Sequence, residues 1–145
     1  MQRAHTTTNH RSASRAGRFA RVVAIGAGVM LVAFGAWAFF SPRSFFDTVA
    51  TFEPYNRHFI HDIGSFQIGL GAVLLLSAYL RDALLVALSG VAVGSVFHFV
   101  SHLIDRDIGG KPASDLPLFA VLALVLVAAA FSRRSQDNGG SGERS

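Results

Sequence analysis

The sequence predicts an all-α integral membrane protein, a four-helix bundle with disordered termini, and three observations carry that expectation. Of the 145 residues 51% are hydrophobic and 15% charged, with a mean hydropathy of +0.42, a balance too apolar for an ordinary soluble domain. The apolar residues gather into four runs near the roughly 20 residues needed to cross about 30 Å of hydrocarbon. The bases collect at the chain ends: Arg3, Arg11, Arg15, Arg18 and Arg21 precede or open the first run with no acid among them, and Arg133-Arg134 follow the last.

Residues 1–18, rich in Thr, Ser, His and Asn, cannot bury a core and are expected to form a disordered, basic cytoplasmic arm. The membrane domain then occupies residues 19–132. Its first span, "FARVVAIGAGVMLVAFGAWAFF", covers 19–40 and stops before Ser41-Pro42, with Trp37, Phe39 and Phe40 at the interface. The second covers about 59–80, with Tyr79 near its far end, and the third, "ALLVALSGVAVGSVFHFVSHLI", covers 83–104. Only Arg81-Asp82 separates these two, which predicts a tight hairpin. The fourth, about 116–131, is short; Ser114 and Asp115 read as its N-cap and Pro117 falls in its first turn. Residues 133–145, "RRSQDNGGSGERS", have the composition of a flexible tail.

Arginine flanks set the orientation expected here. Both basic termini and the Arg81-Asp82 joint fall in the cytoplasm, and the loops 41–57 and 105–115 outside, for a multi-pass protein of the bacterial inner membrane with N-in and C-in topology. A competing reading takes the basic lead, the first apolar run and Ala36-Trp37-Ala38 as a cleaved signal peptide. Both the run and its lead are long for that, and cleavage would leave three spans in the same orientation.

The formal charge of +4 does not point to nucleic acid, since the bases line no single face. With no cysteine, the chain has no disulfide, thiolate nucleophile, Cys-ligated zinc or covalently attached c-type haem. Neither a serine beside a base nor a phosphate-cradling glycine loop is present, so no catalytic motif is assigned and an enzyme is not expected.

The feature that invites a function is "YNRHFIHDIGSFQIGLGA", residues 55–72, which sets His58, His61 and Asp62 at the entrance of an apolar run. Steps of three or four place His58, Asp62, Ser65, Gly69 and Ala72 on one face of the second span. Gly90, Gly94, His98, Ser101 or His102, and Asp105 align likewise on the third. Small residues spaced by four, Ser65-x3-Gly69 and Gly90-x3-Gly94, let membrane helices approach. The two faces are therefore expected to meet, enclosing a polar funnel of His58, Asp62, His98 and His102, with His61, Gln67, Ser101 and Asp105 at its margins.

Such a cluster suits several chemistries. His58 with Asp62 and His98 with His102 are i, i+4 pairs, and imidazole with carboxylate suits zinc, copper, iron or nickel. A b-type haem or a quinone between Phe66, Phe97 and Phe99 is a less specific reading, and proton relay a third, although the opposite half of the spans carries few polar groups for a path. Against these stands a packing or interaction module whose histidines lie at headgroup level or bond between helices. The short fourth span and the glycine faces further suggest association with a second copy or with another membrane protein.

Pro42, Phe45-Phe46, Pro54-Tyr55-Asn56, His58 and Asp62-x-Gly64, together with "FHFVSHLID", resemble a family of small bacterial four-helix membrane proteins distantly similar to DoxX-like proteins. The resemblance covers roughly residues 20–130. It implies an Asn-x-His-x3-Asp pattern opening the second span and a His-x3-His pair closing the third, giving His58, Asp62, His98 and His102 more weight than His61. No activity comes with it, and the cysteine-dependent associations of some DoxX-like proteins cannot apply to this chain.

Overall fold

The computed structural model describes residues 3–80 and 82–141, with side chains described for 15–80 and 82–136. Most of the expected basic arm and tail, and Arg81 in the expected hairpin, therefore fall on residues or side chains outside the described set. The order is α1 (Arg3–Phe40), α2 (Pro42–Thr48), α3 (Arg57–Tyr79), α4 (Leu84–Ile104) and α5 (Pro112–Ser141). Within α1, α3, α4 and α5, the stretches 15–40, 57–79, 84–104 and 112–136 are long and apolar enough to cross a membrane.

Local chemistry explains several boundaries. Asn56 caps α3, its side-chain oxygen accepting from the Phe59 N–H at 3.1 Å. α5 begins at Pro112, ahead of the expected cap residues. Asp115 lies inside the first turn and its carboxylate reaches back to the Lys111 N–H at 2.7 Å, satisfying a donor that the helix start would orphan. Pro117 sits inside the helix, where it removes one ladder bond near the N-terminus. Pro42 opens α2, a short helix in a segment expected to be loop. Trp37 at the end of α1 packs edge-on against Phe45 at 5.6 Å and donates its indole N–H to Ser44, folding α2 back toward the bundle.

The interior is built from small residues and the exterior from large ones. Ala20, Ala24 and Ala27 are buried along one face of α1, while Val29 points outward. Leu126 and Ala129 of α5, Leu74 and Ala78 of α3, and Leu84, Leu88 and Val91 of α4 complete the same cluster. Phe66, Val86, Phe97 and Leu124 stand exposed around the circumference. In water such a surface would favour aggregation; in lipid it costs nothing, and small interior residues let backbones approach for van der Waals contact.

The pairing of helices differs from the sequence expectation. α3 lies chiefly against α1 and α4 chiefly against α5, with α1 also touching α5; α3 and α4 meet over a short stretch. That stretch lies where Leu74 and Ala78 share the core with Leu84, Ala87 and Leu88, beside the 80–83 turn, called here the hairpin end. At the other, loop end, a second cluster of Ala38, Phe45, Phe46, Ala50 and Ile60 joins α1, α2 and α3 without α4. From Val93 to Ile104 no residue of α4 is buried.

The seam between α1 and α3 runs through four glycines. A β-carbon at Gly28 would lie 3.0 Å from the Gly71 carbonyl oxygen, and one at Gly35 would lie 2.8 Å from that of Gly64. Two antiparallel helices thus meet at paired positions seven residues apart on each. Gly69, Gly90 and Gly94, expected to mediate close packing, have no atom of the described residues, beyond their chain neighbours and their own helix backbone, within 4 Å of where a β-carbon would stand. The expected face-to-face contact of the second and third spans is corrected accordingly: adjacency in sequence joins α3 to α4 at the turn, but the tight fit that holds α3 is with α1.

Candidate functional site

The four residues expected to line the funnel lie toward the loop end, in two pairs rather than one group. His58 and Asp62, one turn apart on α3, approach to 3.5 Å. Their side chains are 86% and 51% exposed, so the pair faces outward and encloses nothing. His98 and His102, one turn apart on α4, stand edge to face with ring centroids 4.8 Å apart. Both rest on Phe119 of α5, each 4.5 Å from its ring, and His102 also meets Phe52 at 6.3 Å. These contacts join the outer half of α4, without buried residues of its own, to α5.

The margins resolve separately. His61 stacks at a tilt on Phe39 of α1, 5.2 Å between centroids, and so belongs to the α1–α3 seam. Gln67 turns the same way, since a β-carbon at Gly35 would lie 2.9 Å from the Gln67 Cβ; its Oε1 is buried with no hydrogen-bond partner among the described residues. The serine hydroxyls donate within their own helices, Ser65 to the His61 carbonyl at 2.9 Å and Ser101 to that of His98 at 2.8 Å. Asp105 is the C-cap residue of α4, its N–H donating to the Ser101 carbonyl. Phe66 and Phe97, expected as walls of a ligand pocket, face the exterior.

Among the described residues, no group of three or more His, Asp or Glu is placed to hold a metal ion. The geometry offers at most two nitrogens at His98 and His102, or one nitrogen and one carboxylate at His58 and Asp62.

The loops beside these pairs are tied together. Lys111 donates its ammonium to the Thr48 carbonyl at 2.8 Å, and the Gly110 N–H points to Thr51 O at 3.4 Å. Gly110 has φ +77, a left-handed conformation that glycine adopts without strain, and a β-carbon at Gly109 would lie 3.0 Å from Phe52. Arg43 lies over the Tyr55 ring at 5.0 Å and pairs with Asp47 at 3.0 Å; that carboxylate raises the Arg43 pKa above its ordinary value.

Sequence reasoning missed Phe39, Phe52 and Phe119 as partners of the histidines, and the Gly28, Gly35, Gly64, Gly71 seam. The seam had a signal: Gly28 and Gly35 repeat at seven residues, as do Gly64 and Gly71, and the two pairs match in antiparallel register.

Four bundled helices, each long and apolar enough to cross a bilayer, are the architecture of a multi-pass membrane protein. Comparison of the chain with protein-family models, with curated proteins and with solved structures finds no match.

Proposed function

We propose that the chain is a non-enzymatic interaction module of the bacterial inner membrane, with both termini in the cytoplasm, which associates with a second copy of itself through the Gly90 and Gly94 face of α4. The observation that carries this reading is the Gly90, Gly94 and Val93 surface, left uncovered within one chain although its small residues suit close helix contact. Leu84, Leu88, Val91 and Ala92 hold the same helix in the core, and His98 and His102 rest on Phe119 further along, which leaves the glycine surface for a partner.

The chain contains no cysteine, so a single Gly94→Cys substitution gives a clean test. Oxidation in native membranes is expected to yield a disulfide-linked dimer, with Phe66→Cys on the outward face of α3 as the negative control. Monomer alone at position 94, or equal dimer at both, would refute self-association. Topology is read separately: reporter fusions after Asp82 and after Lys111 are expected to report opposite sides, Asp82 cytoplasmic.

A second reading rests on the juxtaposed His98 and His102 imidazoles. Their one-turn spacing suits a transition metal such as zinc or copper, provided that further ligands come from outside the chain. Metal retained by dimer and lost on dissociation would favour it.

A further inference from the structure

At the hairpin end, remote from the histidines, α1, α3 and α5 surround a cleft of about 510 Å³. Arg18 and Arg21 of α1 and Arg133 of α5 line it, with Asp82 the one acid among the described residues of its wall. The Gln136 side chain of α5 reaches α1 here, a β-carbon at Gly17 standing 2.9 Å from the Gln136 Oε1. Arg133 donates to that oxygen at 3.4 Å, which fixes the orientation of the Gln136 amide. Its Nε2 is then a buried donor with no acceptor among the described residues. Three guanidiniums and the Gln136 amide thus line a space with one carboxylate, Asp82, among the described residues.

Below this polar rim the wall changes character. Val22 and Ile25, further along α1, line it together with Ala78 and Leu84. Positive and hydrogen-bond-donating above, apolar below, the cleft repeats the profile of a phospholipid at the level where a bundle meets the headgroups.

We infer that this cleft binds a phosphate-bearing anionic group, the headgroup of an anionic phospholipid being the source its apolar floor favours over free phosphate. Guanidinium is the side chain best matched to phosphate, through paired N–H donors, and basic recesses between membrane helices are suited to anionic headgroups. The Gln136 amide would supply the one neutral donor, directed to a phosphate oxygen. This inference does not depend on self-association through α4, which concerns the opposite end.

The test uses the full-length protein purified in a neutral detergent, with thermal unfolding and equilibrium binding as readouts. Phosphatidylglycerol is expected to bind and raise the Tm, and phosphatidylcholine at equal concentration to leave it unchanged. Inorganic phosphate separates the sources: little effect assigns the site to lipid, while an effect equal to that of phosphatidylglycerol keeps the anion site and assigns it to a free phosphate. Arg18→Gln and Arg21→Gln replace exposed side chains and are each expected to weaken phosphatidylglycerol binding about fivefold. Gln136→Glu, which keeps the volume and adds a negative charge, is expected to weaken it further. Arg43→Gln, at the opposite end, is the control. Equal response to the two lipids with no response to phosphate, wild-type binding by the arginine variants, or equal loss in Arg43→Gln would overturn the inference.

Discussion

Gly35 and Gly64 meet backbone to backbone across the α1–α3 seam: a β-carbon on either would stand 2.8 Å from the other's carbonyl oxygen. Nothing in that contact can rotate away, because the obstructing atoms are main chain. Gly35→Val or Gly64→Val must push the helices apart. The expected loss is about 1–3 kcal/mol or more, read as a lower Tm in detergent. Unchanged stability in both variants would show that the two helices do not meet there.

Gly69, Gly90 and Gly94 make the reciprocal case. A methyl group at any of them enters open space within the chain. Alanine also forms helix better than glycine by roughly 0.5–1 kcal/mol, so these substitutions are expected to be neutral or slightly stabilising in the isolated chain. A Tm loss at Gly94→Ala that vanishes on dilution would belong to the dimer contact rather than to the fold.

Phe119 joins two histidines to α5 through a pair of ring contacts. Phe119→Ala is therefore expected to destabilise by about 1–3 kcal/mol, given 0.5–1.5 kcal/mol for each ring pair. The loss should concentrate in the outer half of α4, as faster hydrogen exchange from Val93 to Ile104, with Leu84 to Ala92 still protected. Uniform acceleration along α4 would argue against a helix anchored separately at its two ends.

The division of the histidines predicts their metal chemistry. Elemental analysis of the monomer is expected to find transition metal well below one atom per chain. His58→Ala and Asp62→Ala, at exposed positions, are expected to shift stability by less than about 0.5 kcal/mol. One tightly held metal per monomer, lost in both a His58 and a His98 variant, would require the two pairs to come together.

How much of this was legible depends on which property each feature records. The four spans were legible because hydropathy belongs to one helix at a time: runs such as "VVAIGAGVMLVAFGAW" need no partner to be recognised. Helix pairing was not, because lipid-facing and partner-facing residues are alike apolar and periodicity loses its contrast. Gly90-x3-Gly94 looked like a contact and lies open, whereas Gly28 and Gly35 pair with Gly71 and Gly64. That the site residues share one end of the bundle was legible; their grouping was not, since the short turn before α4 suggested a contact that persists only near the hairpin end. Aromatic partners such as Phe119 were hidden by abundance, being one of 13 phenylalanines.

The account turns on α3 placing its polar end against α1 rather than against α4. Its direct measurement is thiol crosslinking in native membranes with a short bifunctional reagent, comparing Phe39→Cys/His61→Cys with Asp62→Cys/His98→Cys. The 5.2 Å approach of the Phe39 and His61 rings predicts efficient intramolecular crosslinking for the first pair and little for the second. Efficient crosslinking of Asp62→Cys/His98→Cys within one chain, with none for Phe39→Cys/His61→Cys, would contradict it and restore the enclosed His/Asp funnel.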